Sequence, residues 1–316
     1  MPTPVATAST TNGATPMANA ESLSSAGPAL DPVGVRAEPR RAPARTPRAR
    51  RSRPNKARAA WIPKQHGAWA MLTVPLLVGA IRSGWSLAHV PLTVCWIVGY
   101  LGFAAAGLWL RSGRKEVYLT PVLVYAGVSL VAGLALLALR PELAWWAPVF
   151  APFAAVSLWY SSRRRDRALG NDVVTILAAS LMTLVAASAG RLGETGNALG
   201  AAVSDAPLVG STLALALYFV GTSLYVKTLI RERGSRAYRR ASIAYHAAAT
   251  VLWAVVPSLL PAELRPPQLT QGLLVAFFAV TTARAAVLAG RRIRPMKVGL
   301  GEIALSVALA LILLAW

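Results

Sequence analysis

The run YLTPVLVYAGVSLVAGLALLAL, residues 118–139, holds no charged residue. As a helix rising 1.5 Å per residue it extends about 33 Å, enough to cross the ~30 Å hydrocarbon core of a bilayer. In lipid each backbone N–H and C=O must find a partner within the segment, so a helix is the form this run takes. Eight further apolar segments accompany it, at approximately 66–82, 87–110, 142–160, 170–190, 206–228, 241–260, 271–290 and 298–316. The first is the shortest and carries Pro75. The sequence therefore predicts an all-α, polytopic membrane bundle of about nine transmembrane helices over residues 59–316.

Composition agrees. The chain is 55% hydrophobic and only 14% charged, where a soluble domain carries about a quarter charged residues. A net charge of +21 would suit nucleic acid, but the basic residues are divided between an N-terminal tail and short loops between apolar runs. A nucleic-acid binder concentrates them in one patch or stripe. The single cysteine, Cys95, lies inside an apolar run and has no neighbours at metal-ligand spacing. No metal site and no cofactor are expected.

Residues 1–58, rich in Pro, Arg, Ala and Ser, cannot bury a core and read as a disordered basic tail. They also lack the charged start and apolar centre of a signal peptide. The loops give orientation. Lys115 and its neighbours, Arg163–Arg165 and Arg167, the basic residues from Lys227 to Arg240, and the Arg291–Lys297 group place seventeen cations in alternate loops. The intervening loops hold only Arg82, Arg140, Arg191 and Arg265. This asymmetry predicts a cytoplasmic N-terminus in the plasma membrane and, with nine spans, a C-terminus outside.

Polar residues collect toward the basic side. Gln65 and His66 open the first span, and Asn171 and Asp172 the fifth. Tyr218, Thr222 and Tyr225 recur at i, i+4 and i+7, sharing one helical face, with Glu232 on an adjoining stripe. His246 lies one turn into the seventh span. Arg284 and Glu302 sit in the last two spans, which a short loop makes antiparallel neighbours, so the two are expected to pair. Charges at such depth are functional candidates by default. As acid–base groups the sequence offers His66, Asp172, Glu232 and His246. As ligands for a lipid phosphate it offers Lys227, Arg231, Arg163 and Lys115. Positive-inside topology alone would also produce those cations, and N-capping alone would account for Asn171 and Asp172.

Four blocks carry a family resemblance: PKQHGAWAMLTVPLLVG (63–79), SRRRDRALGNDVVTILA (162–178), YVKTLIRERGSRAYRRASIAYH (225–246) and RPMKVGLGEIALS (294–306). In this order they resemble the YwiC-like family of bacterial membrane proteins, which implies an integral membrane protein and supplies no reaction. More distantly, WYSSRRRDRALGND (159–172) and the position of 225–240 resemble UbiA-type prenyltransferases. That resemblance implies nine helices with active-site loops on the cytoplasmic side. Those enzymes hold Mg²⁺ with two aspartate-rich motifs. Here the corresponding positions read AAAGLWLRSGRKE, with only Glu116, and Lys227-Arg231-Glu232-Arg233. One carboxylate per motif among several cations makes a poor magnesium site, and the metal sites are not carried over. The reading is a membrane protein that binds or processes an isoprenoid or phospholipid phosphate in a cationic, cytoplasmic-side cavity. A small-molecule transporter and a non-catalytic assembly partner are the alternatives.

Overall fold

The computed structural model describes residues 61–62, 68–190 and 196–316. Gln65, His66 and the 1–58 tail lie outside the described residues. Among the described residues there is no strand. Ten α-helices follow one another: α1 (Ala68–Ser83), α2 (His89–Arg111), α3 (Leu119–Leu139), α4 (Trp146–Ser162), α5 (Leu169–Ala189), α6 (Ala198–Ser204), α7 (Ala206–Ile230), α8 (Arg236–Leu259), α9 (Gln268–Leu288) and α10 (Pro295–Leu314). All but α1 and α6 are long and apolar enough to cross a membrane. The chain is an all-α polytopic bundle.

Nine of the ten helices match the nine apolar segments. At 16 residues, α1 rises about 24 Å, short of a full hydrocarbon core. Its Pro75 cannot donate to the Met71 carbonyl. One residue on, the Leu72 carbonyl receives the Trp96 indole N–H from α2 at 3.0 Å, the kind of neighbouring donor that lets membrane helices tolerate proline. The short α6 is unforeseen in the sequence. Asn197 caps it, its side chain accepting the Gly200 N–H at 2.9 Å. Helix α8 begins at Arg236, about a turn before its apolar run, because Ser235 caps it by accepting the Tyr238 N–H.

Helices α5 and α7 form the centre. Against α5 lie α1 and α4, while α8 and α10 pack on α7, α9 on α8 and α10, and α10 also on α1. The α1–α5 approach is close: a Cβ on Gly79 would stand 2.1 Å from the Thr183 carbonyl oxygen. Small residues at such crossings allow the backbone proximity that replaces hydrophobic driving force in lipid. Helix α3 pairs with α2 as an antiparallel hairpin and exposes Leu123, Leu130, Val131 and Leu134. That outward apolar face suits lipid as its solvent.

At the end away from the basic loops, side chains finish the helices. The Arg82 guanidinium donates to the Leu313 carbonyl at 2.5 Å and the Trp316 carbonyl at 3.2 Å, closing α10 onto α1. A cation is favourable at that C-terminus, where carbonyls lack intrahelical partners. His89, fully buried, donates from Nε2 to the Ala186 carbonyl at 2.9 Å and accepts the Ser86 backbone N–H on Nδ1 at 3.0 Å. It ties the start of α2 to the last turn of α5.

Candidate functional site

Helix α7 organises the polar interior, because two of its faces carry different charge clusters. Tyr218, Thr222 and Tyr225 do share a face, and it looks toward α9 and α10. Glu302, on α10, is buried there. Its Oε2 accepts the Thr222 hydroxyl at 2.8 Å and the Tyr218 hydroxyl at 3.0 Å. Its Oε1 accepts from Nη1 of Arg284 on α9, which completes an ion pair. The Arg284 guanidinium lies over the Tyr225 ring, 4.2 Å from its centroid. Ser306 donates to the Glu302 carbonyl at 2.7 Å.

This pair is largely shielded, each side chain being 11% exposed. Burial removes hydration from both ions, and only good geometry with further hydrogen bonds offsets that loss. Glu302 meets the condition, with three donors on two oxygens. Arg284 meets it only in part: Nε and Nη2 have no partner.

His246 approaches the same helix from α8. Its Nδ1 donates to the Ser242 carbonyl at 2.7 Å, and that bond fixes the tautomer of the neutral ring, leaving Nε2 as a bare acceptor. Nε2 has no partner and points at α7, where a Cβ on Gly221 would come within 2.8 Å of it. Gly221 is therefore the residue that makes room for the imidazole.

The second cluster faces α5. Asp172, in the first turn of α5, forms an ion pair with Lys227 Nζ at 2.9 Å and accepts the Ser223 hydroxyl at 2.8 Å. Lys227 also donates to the Arg167 carbonyl at 2.8 Å. Lys227, offered by the sequence as a phosphate ligand, has a buried ammonium that is paired with Asp172. Next to it, the Asn171 amide donates to the Asp166 carbonyl at 2.8 Å, and the Asp166 carboxylate pairs with Arg111 from the end of α2. Asn171 Oδ1 is buried without a partner.

Lys115, Arg163, Arg231 and Glu232 join neither cluster. They lie at or just beyond the ends of α2, α4 and α7, the first three exposed and Glu232 partly so. Arg163 sits 5.8 Å from the Trp159 ring centroid, and Arg114 stands 5.8 Å from Trp109. Thus two helices that pack together, α2 and α4, each end in an arginine laid over a tryptophan. Arg114 and Arg164 adopt positive φ, 62° and 56°, at the helix ends where glycine is usual. Among the described residues no group of three or more His, Cys, Asp or Glu could hold a metal ion.

What the sequence missed here are the Lys227–Asp172 pair and the hydroxyls that serve the two carboxylates. Thr222 gave only a helical-face signal, and Ser223 gave none. His89 gave none, since an imidazole serving a backbone carbonyl looks like any histidine near a span.

Comparison with known proteins gives a consistent picture. The family model described as YwiC-like protein matches residues 62–187. The Bacillus subtilis "Uncharacterized protein YwiC" is 32% identical over 187 residues, 59% of this chain and 74% of that protein. A Haemophilus influenzae "Uncharacterized protein" is 25% identical over 254 residues, 80% of this chain and 97% of that one. No solved structure matches the chain, and UbiA-type packing stays an expectation from sequence.

Proposed function

This chain belongs to the YwiC-like family, and for it we propose binding of a phosphate-bearing lipid, an isoprenoid phosphate or anionic phospholipid, at the basic end of a multi-pass plasma-membrane bundle. The observation that carries the reading is the pair of arginine–tryptophan contacts, Arg114 over Trp109 and Arg163 over Trp159, at adjacent helix ends. A tryptophan suits the headgroup level. A guanidinium lying over its ring is oriented while its in-plane N–H groups stay free to take phosphate oxygens bidentately, without a metal.

Electrostatics favour the same end. Seventeen basic residues of these loops meet only four carboxylates, Glu116, Asp166, Asp172 and Glu232. Of these, Asp166 is neutralised by Arg111 and Asp172 by Lys227, so neither repels an incoming phosphate. In this reading the basic end and the N-terminus are cytoplasmic, and the 1–58 tail adds electrostatic contact with anionic headgroups at about 1 kcal/mol per residue near the surface. Lys115 and Arg231 extend the cationic rim. Asp172, Glu232 and His246 are the described acid–base groups available to process a bound lipid.

The test is lipid retention. Purified protein in nanodiscs of four parts phosphatidylcholine to one part phosphatidylglycerol should keep phosphatidylglycerol through native mass spectrometry. Arg114→Ala with Arg163→Ala should lower that retention, and salt should lower it too, since exposed charges are screened over about 10 Å at 0.1 M. Equal retention by the double variant would remove the paired ends from the reading. One observation favours a second reading, a transporter: the buried Arg284–Glu302 cluster. Ion-driven uptake into proteoliposomes, lost on Glu302→Gln, would support it.

A further inference from the structure

Arg284 offers a vacant fork. Its Nη1 is held by Glu302 and its plane by the Tyr225 ring. The opposite edge, Nε and Nη2, carries two parallel N–H groups, both buried and both without a partner. Buried guanidinium N–H groups are costly to leave unpaired. That edge has the spacing which takes two oxygens of a carboxylate or phosphate at once. One turn back along α7, at Gly221, the bare Nε2 of His246 is also buried and unpartnered. Four residues separate the two contact points, about 6 Å along the helix.

We propose that the Arg284 Nε–Nη2 edge and His246 Nε2 form a binding site for an oxyanion, a carboxylate or phosphate group, inside the bundle between α7, α8 and α9. It is distinct from the arginine–tryptophan ends of the lipid reading. Charge balance adds a condition. Arg284 is already matched by Glu302, and on the other face of α7 Lys227 is matched by Asp172. An added anion would leave an uncompensated buried charge, which lipid surroundings disfavour. A proton on His246 restores neutrality and turns Nε2 into a donor toward the ligand. The charged groups felt by the imidazole are Arg284 on α9 and Glu302 on α10, and the adjacent Tyr245 on α8 lies against its ring. Ligand and proton are therefore taken up together.

The experiment uses the full chain in phosphatidylcholine nanodiscs, titrated calorimetrically with inorganic phosphate and with acetate at pH 6 and pH 8. A parallel arm with phosphatidylglycerol discs asks by native mass spectrometry whether a lipid headgroup fills the site instead. Binding in at least one arm is expected. For the soluble probes it should be tighter at pH 6. Arg284→Lys keeps the charge opposite Glu302 and removes the fork, and should weaken binding about tenfold or more. His246→Asn keeps a donor for the Ser242 carbonyl and removes Nε2, and should abolish the pH dependence, or for the lipid arm lower retention. Binding in none of the three arms overturns the proposal, as does an Arg284→Lys affinity within twofold of the parent. Should Arg284→Lys fail to fold, His246→Asn decides, and a parental pH profile or retention overturns it.

Discussion

Replacing Arg284 with alanine should destabilise the bundle by about 3–5 kcal/mol, the cost of stranding one member of a buried ion pair. The structure sets the upper part of that range. Each side chain of the pair is 11% exposed, so water screens little, and Glu302 lies seven residues inside α10, about 10 Å from its first turn. A carboxylate at that depth cannot reach the headgroups. The reverse variant, Glu302→Ala, should cost less, about 1–3 kcal/mol. Arg284 lies only four residues from the end of α9 and its long stem can carry the charge toward the interface. The double variant should cost close to Glu302→Ala alone, because the stranded carboxylate has gone. The coupling energy would then be close in magnitude to the Arg284→Ala cost itself, about 3–5 kcal/mol. Unfolding in mixed micelles, driven by dodecyl sulfate and followed by tryptophan fluorescence, measures all three. Additive effects, with coupling below about 0.5 kcal/mol, would refute the claim that these two charges depend on each other.

Three further outcomes follow from the packing and the loops. Gly79→Val should destabilise by about 1–3 kcal/mol in the same assay, since a Cβ would meet the Thr183 carbonyl oxygen at 2.1 Å and a backbone atom cannot rotate aside. Lys227→Ala should cost less than Arg284→Ala, because the Asp172 side chain is 28% exposed and partly hydrated; adding Asp172→Asn should recover most of the loss. With Cys95 replaced by alanine, a cysteine at Ser162 should react with a membrane-impermeant maleimide only in inverted vesicles, and one at Ser204 only in intact cells; the opposite pattern would reverse the assigned orientation.

Much of this fold is legible in the sequence because lipid imposes a one-dimensional rule. Any run of about 20 apolar residues must become a helix, and segments such as 118–139 and 206–228 need no knowledge of their neighbours. The Tyr218–Thr222–Tyr225 face is legible for a similar reason, since helical periodicity is local. The Arg284–Glu302 pair could be anticipated because a short loop joins α9 and α10. Pairing across long separations could not. Lys227 and Asp172 lie on α7 and α5, and nothing in hydropathy says which of many cations will turn inward. That choice is set by helix rotation, and rotation is set by close contacts such as Gly79 on Thr183. The same blindness hid His89, whose partner carbonyl is 97 residues away, and α6, too short for apolar periodicity to announce it.

The Arg82 contact bears on the order in which this protein can be made. The first described helix, α1, is too short to hold itself firmly across a bilayer, and one of its clasps is the guanidinium gripping the final turn of α10. During synthesis roughly 230 residues separate the emergence of the two partners (231 between Arg82 and Leu313). Until α10 arrives, the Arg82 guanidinium lacks the two carbonyls that it holds in the folded bundle. This contact between the first and the tenth described helices therefore forms late, a later helix fastening onto an earlier one.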